Sequence, residues 1–164
     1  MQGEYKMGTV RTEFSAIIDA PPAEVYGIFV DYRNSHPKVL PKPYFGDVKV
    51  EEGGKGAGTV FRTSITVMGI TTNYHMVVSE PEPGRVLVET DDQLGTTTSF
   101  TIDPVEGGKK SNVTITTDWT PKPGVMGWVE KLSVPGVMRK IYDTELKLVQ
   151  EYVKNNQKGG DGFN

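Results

Sequence analysis

Few side chains in this sequence have the type and spacing that chemistry requires. His36 and His75 are the two histidines, and there is no cysteine, which excludes disulfides, thiolate nucleophiles and sulfur metal ligands together. His36 lies in the proline-flanked stretch Asn34-Ser35-His36-Pro37, and no carboxylate stands at ligand spacing from either histidine. Glu145 falls three residues before Leu148 and four after Ile141, at the edge of a helical apolar stripe. Turned inward, it would be a carboxylate of raised pKa and a candidate acid or base; turned outward, it would simply reach solvent or a cation. Tyr74 alternates with Met76 and Val78 on one face of a strand pattern and is the third catalytic candidate. His75, out of phase with them, belongs on the opposite face. The cluster Gly53-Gly54-Lys55-Gly56-Ala57-Gly58-Thr59 fails the phosphate-loop pattern, because its Gly-Lys is not followed directly by Ser or Thr and it lies between strands. It reads as a hairpin turn, a mobile lip. No Gly-x-Ser-x-Gly elbow occurs. We therefore expect no metal and no cofactor.

The elements that must position these residues follow from periodicity. Val10, Thr12, Phe14, Ala16 and Ile18 alternate with polar residues, which predicts a strand. Pro21-Pro22 ends it and opens a short helix to about Asp31, with Glu24 in the first turn against the dipole. Pro37, Pro41 and Pro43 then permit only short helical turns or extended links. Phe45, Val48 and Val50 suggest a second strand. Five runs rich in β-branched residues follow at 59–68, 71–80, 85–91, 97–103 and 112–120, separated by Gly- and Pro-rich turns. The chain closes on a helix expected from Pro135 to Asn155, about 30 Å long, with Ser133 as N-cap and a separate helical turn or two over 124–132. Residues 1–157 read as a single domain and 158–164 as a disordered tail.

The same parity assigns inward faces. It places Phe14, Tyr74, Met76, Val88, Thr98, Phe100, Ile115, Thr117 and Trp119 inward from the strands, with Met138 and Tyr142 from the terminal helix. The third strand stays ambiguous, since Phe61, Ile65 and Val67 compete with Val60 and Met68. The simplest reading of any one of these residues is core packing. As a set they can line an apolar ligand cavity in which Tyr74, Thr98 and Thr117 supply the polar groups.

Composition narrows the class further. With 164 residues, 36% hydrophobic and 24% charged, the chain is long enough for one core-bearing domain. The net charge of -3, with no basic run longer than Lys109-Lys110, argues against a nucleic-acid partner. Residues 1–11 lack the apolar core of a signal peptide and no stretch is long enough to be a membrane segment, so a cytoplasmic location is expected. Oligomeric state is not readable.

Local wording adds a resemblance. Ile18-Asp19-Ala20-Pro21-Pro22-Ala23-Glu24-Val25-Tyr26 resembles the opening motif of the SRPBCC superfamily, which holds START domains and polyketide cyclase/dehydrase-type proteins. Val78-Ser79-Glu80-Pro81-Glu82-Pro83-Gly84-Arg85-Val86 resembles its hairpin, and Thr117-Asp118-Trp119-Thr120 its last strand. The resemblance covers about residues 9–155 and implies an α+β helix-grip (START-like) fold: a curved antiparallel sheet of about seven strands around a long C-terminal helix, with two short helices after strand one. It implies a cavity for a small hydrophobic molecule such as a lipid, polyketide or quinone. Three functions remain open. The chain carries or sequesters such a ligand; or it acts on one by acid/base chemistry as a cyclase or dehydratase; or it is an interaction domain with a collapsed cavity. The lack of a tight acid/base constellation favours the first. The entrance is expected among His36, the 53–58 loop and the Gly69 turn, with the segment around 128–138 as a partial cover hinged at Ser133-Val134-Pro135-Gly136.

Overall fold

A computed structural model describes residues 8–160. Strand β1 (Val10–Ile18) is followed by helices α1 (Pro22–Val30) and α2 (His36–Val39). Then come β2 (Lys49–Glu52), β3 (Val60–Val67), β4 (Ile70–Glu82), β5 (Val86–Asp91), β6 (Thr96–Val105) and β7 (Lys110–Trp119). Helix α3 (Val125–Gly160) closes the chain. The strands form one antiparallel sheet in the order β1-β7-β6-β5-β4-β3-β2. The first strand therefore joins the last, and every other neighbour is a sequential hairpin, as short turns require. This is the helix-grip architecture expected from the sequence.

One face of the sheet is buried under α3. Ile141, Tyr142, Leu146, Val149 and Val153 are buried along the helix, against Ile18, Val113, Ile115 and Ile102 of the sheet. The Asp19 N–H donates to Gln150 Oε1 at 2.9 Å, which ties the end of β1 to the same helix. Helix α1 buries Val25, Ile28, Phe29 and Val30 in that core.

Helix α3 differs from expectation. It is one helix of 36 residues, about 54 Å long, with Pro135 inside it rather than at its start. The lost proline N–H leaves the Lys131 carbonyl without its usual donor, and Lys131 is exposed, so water can satisfy that carbonyl there. At the N-terminal end the linker turns back tightly: a Cβ on Gly127 would lie 1.9 Å from the Lys122 carbonyl oxygen. Of the tail expected to be disordered, residues 158–160 continue the helix, and 161–164 lie outside the described residues.

The glycine loop is also not a mobile lip. Tyr32 N–H donates to the Gly54 carbonyl, Gly56 N–H to that of Val30, and Arg33 Nη2 to that of Gly53. Glu80 secures the loop from the sheet side, accepting the Tyr26 hydroxyl at 2.7 Å and the Ala57 N–H at 2.9 Å. The loop thus fixes the α1–α2 corner and does not border an opening. Gly56 has a φ of 65°, and a Cβ on it would lie 2.5 Å from Glu80 Oε2, whereas Gly58, at φ 87°, has open space. Gly58→Ala should cost about 1–2 kcal/mol from backbone conformation alone. Gly56→Ala should cost at least about 1 kcal/mol more, because it displaces the Glu80 hydrogen bonds as well; urea denaturation of the two variants reads the difference.

Candidate functional site

The proline-flanked corner between α1 and α2 carries His36 inward. Asp31 closes the turn by accepting the N–H groups of Arg33 and Asn34, while Ser35 Oγ donates to the Ile28 carbonyl at 2.7 Å. His36 is buried, and its Nδ1–H donates to the Phe29 carbonyl at 2.6 Å. Its ring lies against Tyr32 at 4.7 Å and is met edge-on by Phe29 and Phe100 at 5.6 and 5.5 Å. That hydrogen bond fixes the tautomer, leaving the Nε2 lone pair directed inward. His36 is therefore inside the molecule, not at a rim.

Opposite Nε2 stands Glu89 of β5, whose Oε1 is 3.9 Å away and accepts the Tyr32 hydroxyl at 2.8 Å. Glu145 of α3 also points inward, 2% exposed, and its Oε1 has no hydrogen-bond partner. One helical turn before it, the Tyr142 hydroxyl bonds to Thr117 Oγ1, which shares a 2.8 Å hydrogen bond with Thr98 Oγ1. These groups face an inner chamber of about 60 Å³, whose remaining walls include Phe61, Ile65, Met76, Phe100 and Met138. An outer chamber of about 400 Å³ shares Ile65, Tyr74, Thr96, Thr117 and Met138 with it and opens between the β3–β4 turn and the first half of α3.

Burial sets the protonation states. Glu145 is held well above the ordinary carboxyl range by desolvation, reinforced by repulsion from Glu89. Desolvation also pushes Glu89 up to about 7, against the Tyr32 hydrogen bond that lowers it. His36 is pushed down to about 4 by desolvation, only partly offset by its bond to Phe29. Tyr32, Tyr142 and Tyr74 are all raised, first by burial. Near neutral pH the cluster therefore holds a neutral carboxylic acid, a neutral imidazole with a free lone pair, and a second carboxyl at its midpoint. Such a set can donate, accept and shuttle a proton.

Of the residues expected to line a cavity, Tyr74, Met76, Thr98, Phe100, Thr117, Met138 and Tyr142 face the inner chamber. Trp119 lines the outer one. Phe14 and Ile115 point inward but are consumed by packing, since β1 and its partner β7 lie under α3. Val88 is misassigned: Leu87, Glu89 and Asp91 are the buried residues of β5, and Val88 takes the convex face. The reason is a β-bulge, because the β4–β5 register slips by one between Ser79/Val88 and Glu82/Val86. Parity carried through that turn flips the face. The signal that finds Glu89 is its cross-strand partner, Thr98, on a β6 face already set by Phe100 and Ile102. His75 sits on the outer face, with Nε2 3.0 Å from Glu51 Oε2. Tyr32 and Glu89 are the site residues missed in the sequence. The acid/base constellation not legible in the sequence is present, because it joins Tyr32 from the α1–α2 corner with His36 of α2, Glu89 of β5 and Glu145 of α3.

The pH dependence of stability follows. Glu89's pKa in the folded chain lies above its ordinary 4.5, so the stabilisation it allows is full below about 4.5 and is lost as pH rises through about 7. The gap corresponds to about 3 kcal/mol. His36 acts in the opposite direction, its stabilisation lost as pH falls from 6.5 toward about 4. Glu89→Gln keeps an acceptor for Tyr32 and cannot ionise. Its melting temperature relative to the parent should be clearly higher at about pH 8 than at about pH 5, as calorimetry at the two pH values measures; an equal difference at both would show that Glu89 is not held neutral.

The fold has counterparts among known proteins. Residues 9–154 match the family model described as polyketide cyclase / dehydrase and lipid transport. The solution structure of the KanY protein is 30% identical, with a TM-score of 0.77 over 90% of this chain and 99% of that one. An aromatase/cyclase from Streptomyces sp. R1128 superposes with a TM-score of 0.69 at 16% identity, covering 89% of this chain and 94% of that one. A START superfamily protein from Mycobacterium smegmatis gives 0.64 at 15% identity, covering 88% and 97%. These last two share the fold. No curated protein matches the chain. Among the described residues, no helix is long and apolar enough to cross a membrane, and no group of three or more His, Cys, Asp or Glu is placed to hold a metal. From its matched length and its START-like architecture, the chain belongs to the polyketide cyclase/dehydrase and lipid-transport family of the SRPBCC superfamily.

Proposed function

We propose that the chain binds a small, mostly apolar molecule that carries a polar oxygen at one end. The body occupies the outer chamber, and the oxygen enters the inner one to meet Glu145. The carrying observation is the unpartnered Glu145 Oε1, buried and aimed into a chamber with apolar walls. An unsatisfied buried polar group costs about 1–3 kcal/mol, and a core built only for stability would hold Leu there. A chamber of about 400 Å³ lies within the usual range for small-molecule sites. The neutral acid at Glu145 suits a ligand carbonyl or hydroxyl as hydrogen-bond donor.

A second reading has its own support. His36 Nε2, Glu89 and Glu145 put a base and an acid around one chamber, as a cyclisation or dehydration of a polyketide-like ligand needs. In that reaction Glu145 gives its proton to the oxygen that leaves or enolises, while Glu89 or the His36 lone pair takes one from an adjacent carbon. The aromatase/cyclase named among the similar structures is consistent with such chemistry.

Two variants of Glu145 test both readings. Glu145→Leu should raise the stability of the empty protein by about 1–3 kcal/mol and weaken ligand binding at least tenfold. Binding is followed with anilinonaphthalene sulfonate and with whatever small molecule native mass spectrometry and organic extraction recover from fresh protein. Loss of stability together with unchanged binding would contradict the proposal. Glu145→Gln can hydrogen-bond but cannot transfer a proton, so it should retain binding. Under the enzymatic reading alone, it abolishes conversion of the recovered ligand.

A further inference from the structure

The first half of α3 presents an apolar surface that nothing in the fold uses. Val125, Trp128 and Leu132 are 80%, 70% and 75% exposed, at helical spacing on the outer side of the helix. Met126 and Val129 are exposed too, and both line the outer chamber. Across its opening stand Met68 of the β3–β4 turn, Ile70 at the start of β4 and Leu94 of the β5–β6 turn, also exposed. Three separate elements thus bring their exposed apolar side chains to one end of the molecule, around one mouth. Elsewhere Ile17 and Val77 are exposed as single residues on strands. A convergent patch of this kind marks an interaction surface.

Charge selects the occupant. Residues 121–140 carry Lys122, Lys131, Arg139 and Lys140 against Glu130, a local net charge of +3 in a chain whose net charge is -3. Lys122 and Lys131 are exposed and border the same surface groove as Trp128 and Leu132. A second copy docking by the same patch would bring two surfaces of the same positive sign together, which is unfavourable in a twofold interface. An anionic bilayer meets both features at once: headgroups pair with the lysines, and the indole and aliphatic side chains enter the boundary between headgroups and acyl chains.

We infer that the exposed apolar surface beside the mouth of the outer chamber, led by Trp128 and Leu132 on the outer side of α3 and continued across the mouth by Met68 and Ile70 at the β3–β4 hairpin, docks onto anionic lipid bilayers. The first half of α3 then lies in the membrane interface, and the mouth of the outer chamber opens toward the lipid. An apolar molecule can then pass between bilayer and chamber without crossing water. The docking stands on surface residues and does not depend on the identity of the ligand.

The test uses the full chain with vesicles of phosphatidylcholine alone or mixed with phosphatidylglycerol, read by flotation and by quenching of tryptophan fluorescence with brominated lipid. The parent protein should float with the mixed vesicles, and brominated chains should quench it. The double variant Trp128→Ser/Leu132→Ser should lose at least tenfold in vesicle affinity while its circular dichroism and its binding of anilinonaphthalene sulfonate stay unchanged. Lys122→Glu/Lys131→Glu should lose affinity for the mixed vesicles. Failure of the parent protein to float, or binding that survives Trp128→Ser/Leu132→Ser, would overturn the inference. So would a parent dimer that the same double variant turns into a monomer, since the patch would then belong to a second copy.

Discussion

Helix α3 is longer than the sheet it grips. Its later turns, carrying Ile141, Leu146, Val149 and Val153, are pressed into the concave face of the sheet, whereas its first turns carry exposed side chains. The hydrophobic effect acts on one half of the helix only, and that asymmetry gives the molecule a sealed end and an open one. Where the helix is clamped, Phe14 and Ile115 are packing material. Where it lifts away, the same inward parity at Tyr74, Thr117 and Trp119 faces empty space.

At the border between the two halves sits a polar cluster that packing alone does not explain. Glu89 and Glu145 come from elements on different sides of the chamber, and burial raises the pKa of both, that of Glu89 to about 7 and that of Glu145 well above the ordinary carboxyl range. His36 reaches them only because the α1–α2 corner is held by the glycine loop, and that loop in turn by Glu80. A chain of fixed contacts thus runs from the hairpin, through a turn remote from the chamber, to an imidazole whose tautomer is set by a backbone carbonyl. Preorganisation of this kind is what a proton donor or acceptor needs before a ligand arrives.

The sequence and the structure part company at identifiable residues. The strands were legible because alternation has a period of two and the turns carry glycine or proline. The facing of β5 was not, since Val86-Leu87-Val88 is apolar on both faces and the bulge before it shifts the count by one. Glu89 was hidden by the ordinary expectation that carboxylates face water. Glu145 was visible as a candidate from its place on the stripe, but its direction depended on how far α3 rotates against the sheet. Pro135 read as a helix start, since proline is favoured there, and only the exposure of Lys131 makes it tolerable inside. The buried constellation draws on residues from 32 to 145, and its spacing in sequence carries no trace of their proximity.

The central claim is that a carboxylic acid stays neutral at the floor of an apolar chamber near neutral pH. Carbon-13 NMR of the glutamate side-chain carboxyl groups, assigned with Glu89→Gln and Glu145→Gln, tests this most directly. The Glu145 carboxyl carbon should keep its protonated shift through neutral pH while that of Glu89 titrates with a midpoint of about 7. Two carboxyl groups that both titrate near the ordinary value of 4.5 would contradict it.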